Sequence, residues 1–120
     1  MAGDADSLEG LRERLARFAA ERDWDPFHTP KNLSMALIAE AAELVEHFQW
    51  LTPEASAALA DDKLAEVALE LADIQIYLIR IADKLGIDLI ESARRKIEIN
   101  EARYPADRVR GDARRAAEYD

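Results

Sequence analysis

The stretch Leu64–Ala82, LAEVALELADIQIYLIRIA, decides the fold. Fourteen of its 19 residues are apolar, and at about 100° per residue they point in nearly every direction around a helix axis. A helix apolar on all sides has to be buried on all sides. With Asp61 or Asp62 as its cap and Gly86 as its left-handed stop, the element runs to Leu85, a length of roughly 36 Å at 1.5 Å per residue. Three further helices in a chain of 120 residues do not easily enclose so long a core. The pattern therefore predicts an all-α antiparallel bundle of four main helices that assembles into a homo-oligomer.

The flanking segments supply the other helices. Asp6 and Glu9 have capping-box spacing, and Leu8, Leu11, Leu15, Phe18 and Ala19 recur every three or four residues, which predicts a helix over 7–22. Residues 23–28, broken by Pro26, read as a loop. Thr29-Pro30 opens a second helix to about residue 50, and Thr52-Pro53 opens a short turn. Asp88 with Glu91 opens the last main helix, which Tyr104-Pro105 ends. Residues 1–105 form the expected domain, and 106–120 a polar tail expected to be frayed or partner-dependent.

Composition narrows the chemistry. There is no Cys, which excludes disulfide scaffolds, thiolate zinc sites and cysteine nucleophiles and is compatible with a reduced, cytoplasmic setting. A net charge of −9 disfavours binding to a nucleic-acid polymer. No apolar stretch is long enough for a membrane span, and residues 1–10 lack the pattern of a secretory signal.

Several acids sit where apolar residues are expected. With Glu40 at zero on a helical wheel, Leu33 and Leu51 lie near 20°, Leu44 near 40° and Leu37 near 60°, so Glu40 is inside the apolar stripe. Glu43 and His47 border it, whereas Glu46 faces away. Glu70 and Asp73 repeat the arrangement beside Val67, Ile74 and Tyr77, with Glu66 alongside. Carboxylates about 4 Å apart repel by roughly 4 kcal/mol even at an effective dielectric near 20, so a cation is expected between them. Oxygen-only ligands select hard ions, Mg²⁺ first and Mn²⁺ as a substitute. One Glu-x-x-Glu carries little weight by itself; two acidic pairs in the apolar stripes of neighbouring helices carry much more. A di-iron bundle fits poorly, because Glu43 and His47 are four apart rather than three and the second acidic helix has no His. A non-catalytic acidic oligomerisation module leaves the inward acids without purpose.

Beyond the acids, the stretch Phe18-Ala-Ala-Glu-Arg-Asp-Trp24, then Phe27-His28, Pro30, Asn32-Leu33, Glu43-Leu44 to Phe48-Gln49-Trp50, and Ile76-Tyr77-Leu78 stand out, followed by Lys96, Asn100, Arg103-Tyr104-Pro105 and Arg110-Gly111. Together these resemble the MazG-like all-α nucleoside triphosphate pyrophosphatases, the dCTP pyrophosphatase branch in particular, over about residues 15–111. The resemblance implies hydrolysis of a (deoxy)nucleoside triphosphate, dCTP or a modified dCTP, to the monophosphate and pyrophosphate. It implies Mg²⁺ held by Glu40, Glu43, Glu70 and Asp73, an aromatic-walled base pocket and a dimer or tetramer. Ala39 and Ala42 stand where relatives often carry Gly, and Glu101 where some carry a basic residue.

Glu43 is the candidate for orienting or deprotonating the attacking water, although residue type does not separate base from ligand. Lys96 and Asn100, four apart on one helix face, are candidates for phosphate or sugar, with Arg103 one turn on. Trp24, Phe27, Trp50 and Tyr77 are candidates for stacking a base, and His28 for donating to base or phosphate; without the resemblance, Trp50 and Tyr77 read as core or interface aromatics. Phe18 and Phe48 are expected in the core.

Overall fold

The computed structural model describes residues 4–114 and 116–118. It is all-helical, with no strand among the described residues: α1 (Leu8–Glu21), a 3₁₀ turn (Asp25–Phe27), α2 (Pro30–Glu46), α3 (Pro53–Ser56), α4 (Asp61–Leu85), α5 (Leu89–Arg103), α6 (Ala106–Val109) and a second 3₁₀ turn (Ala116–Glu118). The chain forms two compact units, Met1–Gly86 and Ile87–Asp120.

The capping chemistry explains most helix starts. Thr29 accepts from the Asn32 amide at 3.1 Å, Thr52 from Ala55 at 3.1 Å and Asp88 from Glu91 at 3.0 Å. Each oxygen occupies one of the amide donors that a helix start leaves without a partner. Two starts differ from the sequence reading. The cap of α1 is Ser7, not Asp6, because the Ser7 hydroxyl accepts from Gly10 N at 3.0 Å; a Cβ at Gly10 would collide with the carbonyl of Asp4. Asp61 and Asp62 lie inside the first turn of α4 behind an Ala60 cap that has no side-chain bond, where their charge still favours the positive helix end. Gly86, at φ 67°, ends α4 as the spacing predicts.

The second helix stops at Glu46, short of the expected residue 50. His47 and Phe48 donate to Leu44 and Val45 respectively, three residues back, and Leu51 donates to Phe48. These tightened turns use up the terminal carbonyls and bring the chain to the extended Thr52 that precedes Pro53.

In the first unit α2 packs along α4, and α1 lies against α4 as well. Ala19, Leu33, Val67, Ile79 and Ala82 are its buried apolar residues, Leu33 being 2% exposed. Helix α4 is buried along one side only: Leu64, Leu71 and Leu69 stay open to solvent, Leu69 at 70%. Phe18, expected in the core, is exposed and meets the Trp24 ring edge-on at 5.5 Å, with the Arg22 guanidinium 3.6 Å over its own ring; Phe48 is half-buried. In the second unit, α5 presents Ile90, Ile97 and Ile99 exposed, and the segment read as a tail holds the single turn of α6. Arg115, Tyr119 and Asp120, also in that segment, lie outside the described residues.

Candidate functional site

The long contact between α2 and α4 sets three acids against one another. Glu40 and Glu43 stand one turn apart on α2, and each offers a carboxylate oxygen within 4.8 Å of one from Glu70 on α4. Glu40 and Glu70 are half-buried, Glu43 exposed. One oxygen of Glu40 and one of Glu70, both Oε2, are buried without a hydrogen-bond partner. Among the described residues, none of the three is ion-paired to Lys or Arg. With the three acids ionised those oxygens meet no donor. Once Glu70 takes up a proton it can donate to the Glu40 and Glu43 carboxylates, and this, with partial desolvation and their negative charge, pushes its pKa up to about 7.

Buried carboxylate oxygens without partners are costly. The set is all oxygen, anionic and open on one side through Glu43, which suits a hard divalent cation that keeps some of its waters. Asp73, one turn beyond Glu70, is exposed and outside this group of three. Glu66 is exposed and 3.5 Å from Lys63, and Glu46 faces solvent as its wheel position predicts. His47 caps the end of α2.

The other predicted residues are spread more widely. Trp24 and His28 come together in the loop after α1, with ring centroids 6.1 Å apart. That loop is tied down by Trp24 N donating to Ala19 O at 2.9 Å and by Asn32 Nδ2 donating to Phe27 O at 3.1 Å. Phe27 is exposed, and Trp50, beyond the end of α2, is 88% exposed. Tyr77 is half-buried on α4. In the second unit, Lys96, Asn100 and Arg103 are all exposed on α5, and the Arg103 guanidinium lies 5.7 Å from the Tyr104 ring centre.

Arg80, which the sequence reading did not single out, is only 3% exposed. It donates from Nη2 to Asp25 at 3.0 Å, from Nη1 to Asp83 at 3.3 Å and from Nε to Nδ1 of His28 at 3.2 Å. Lys84 reaches the same Asp25 oxygen at 2.8 Å, and Arg12 joins from α1 through Asp83 at 3.1 Å. The available signal was that Arg80 is the lone cation in the run 64–82.

A family model described as the MazG-like family matches residues 36–117, which include all four predicted acidic ligands. The chain belongs to the MazG-like family. This MazG-like chain is 43% identical over 109 residues to a Bos taurus protein named dCTP pyrophosphatase 1, covering 89% of the chain and 64% of that protein. To the Homo sapiens protein of that name it is 41% identical over 114 residues, covering 93% and 67%. The chain thus spans about two thirds of the length of these relatives. A solved pyrophosphatase structure from Archaeoglobus fulgidus superposes with a TM-score of 0.79 at 37% identity, covering 88% of this chain and 98% of that one. No helix among the described residues is long and apolar enough to cross a membrane.

Proposed function

We propose that this MazG-like chain is a Mg²⁺-dependent nucleoside triphosphate pyrophosphohydrolase that takes dCTP or a modified dCTP and releases dNMP and pyrophosphate in the cytoplasmic nucleotide pool. The observation that carries the proposal is the Glu40, Glu43 and Glu70 group with its two orphaned buried oxygens. Relatives named dCTP pyrophosphatase 1 support the choice of substrate.

Glu40, Glu43, Glu70 and Asp73 would hold Mg²⁺, with Mn²⁺ as a substitute. The bound ion would neutralise charge on the triphosphate as it reacts. Glu43, the exposed member of the trio, orients the attacking water and takes its proton. Water oxygen bonds to the α-phosphorus, the bond from that phosphorus to the bridging oxygen breaks, and pyrophosphate leaves with the electron pair. His28 and the aromatic rings of Trp24, Trp50 and Tyr77 receive the nucleoside, while Lys96, Asn100 and Arg103 are assigned to phosphate and sugar.

The antiparallel four-helix bundle and the homo-oligomer, a dimer or tetramer, belong to the same proposal. The exposed leucines of α4 support them, since an apolar helix side of that extent is buried in a stable assembly. The test is pyrophosphate release from a panel of dNTPs and modified dCTPs, with and without Mg²⁺. Release confined to Mg²⁺ and strongest with a cytosine nucleotide is expected; no release from any nucleotide would sink the proposal.

A further inference from the structure

Arg80 is a buried cation with no part in the acidic group. All three of its hydrogen bonds are directed: two carboxylates hold its Nη atoms, which aims Nε–H at Nδ1 of His28. A guanidinium stays protonated throughout the working pH range and can only donate. The nitrogen it meets must therefore carry a lone pair. A neutral imidazole with a lone pair on Nδ1 has its proton on Nε2.

We propose that Arg80 is a positioning residue that locks His28 as the neutral tautomer protonated at Nε2, so that His28 offers the nucleotide a hydrogen-bond donor and never an acceptor. The ligand atom it selects is an oxygen with a free lone pair, on the base, sugar or phosphate. A free histidine divides its population between tautomers and gains a proton below about pH 6.5; a locked one keeps a single tautomer and resists the second proton to lower pH. The charged groups acting on this ring are Arg80 and Lys84 from α4 and Asp25 from the 3₁₀ turn, and burial together with Arg80 keeps the His28 pKa below its ordinary value. The assignment rests on the proposed function for the identity of the ligand, but the tautomer is a property of the protein by itself.

The test is heteronuclear NMR of the imidazole nitrogens in the full chain, with His47→Gln removing the other histidine signals. In the parent the His28 Nδ1 should show the shift of an unprotonated nitrogen and Nε2 that of a protonated one at about pH 8, and should keep them to lower pH than a free imidazole does. Arg80→Met should release a tautomer mixture that titrates near the ordinary value. Should that variant fail to fold, Arg80→Lys keeps the charge but loses the fork, and should partly release the ring. Adding the non-hydrolysable α,β-imido analogue of dCTP with Mg²⁺ should shift the Nε2 signal.

For turnover, KM for dCTP should rise about tenfold in Arg80→Met with kcat nearly kept, the cost of one ordinary hydrogen bond. His28→Gln keeps an amide donor on a side chain of similar reach, and in that background the Arg80 effect on KM should vanish. A proton on Nδ1 in the parent, signals indifferent to Arg80→Met, or no response of Nε2 to the analogue overturns the inference. Failure of the proposed function shows separately, as absence of pyrophosphate release by the unaltered chain.

Discussion

At the scale of single residues, Glu70 carries the sharpest consequence. Its folded pKa of about 7 lies above the ordinary carboxyl value of 4.5, so the fold favours the protonated form. The resulting stability is fully present below about pH 4.5 and is lost as pH rises through about 7. In metal-free protein this group should therefore lower Tm between pH 4.5 and 7, and Glu70→Gln should flatten that slope in thermal scans. Mg²⁺ held at the proposed site would compete with the same proton, so its affinity by calorimetry should tighten across that interval. Replacing Glu40 or Glu70 with Gln should cut pyrophosphate release more than ~100-fold, beyond the 10–100-fold typical of groups that only support a ligand. Asp73→Ala should abolish turnover while circular dichroism shows the helices intact; an active variant would remove Asp73 from the site.

At the scale of elements, α2 on α4 is the contact on which the acidic group depends. Leu33 is its most deeply buried side chain, and Leu33→Ala should cost about 2–5 kcal/mol in denaturant unfolding. Gly86→Ala forces a Cβ into the left-handed conformation at φ 67° and should cost about 1 kcal/mol, with no neighbour displaced because nothing lies within 4 Å of that position. The capping residues Thr29, Thr52 and Asp88 were readable because one side-chain oxygen and one nearby amide are enough to define each start. The end of α2 was not, since tightened turns there follow from the demands of the next segment rather than from residues 47–50.

At the scale of the whole molecule, the leucines left open on α4 set the prediction. Leu69→Glu places a charge on an apolar surface that the proposed oligomer covers, and sedimentation should then show smaller species than the parent. A parent that sediments as a clean monomer at micromolar concentration would remove the oligomer from the proposal. The same variant leaves the buried residues Leu33, Val67, Ile79 and Ala82 untouched, so helicity should persist.

The all-helical class, the helix starts at Thr29, Thr52 and Asp88, the stop at Gly86 and the place of Glu40, Glu43 and Glu70 in or beside the apolar stripes of their helices followed from the order of residues. Periodicity, capping and wheel position are local properties, set by 3.6 residues per turn and by bonds within a few residues. Only tertiary structure decided that Arg80 turns inward to Asp25, Asp83 and His28, that Phe18 sits against Trp24 at the surface, and that two carboxylate oxygens are sealed without partners. Those facts join residues as much as 55 positions apart, and no local pattern encodes which charged groups will meet once helices have packed.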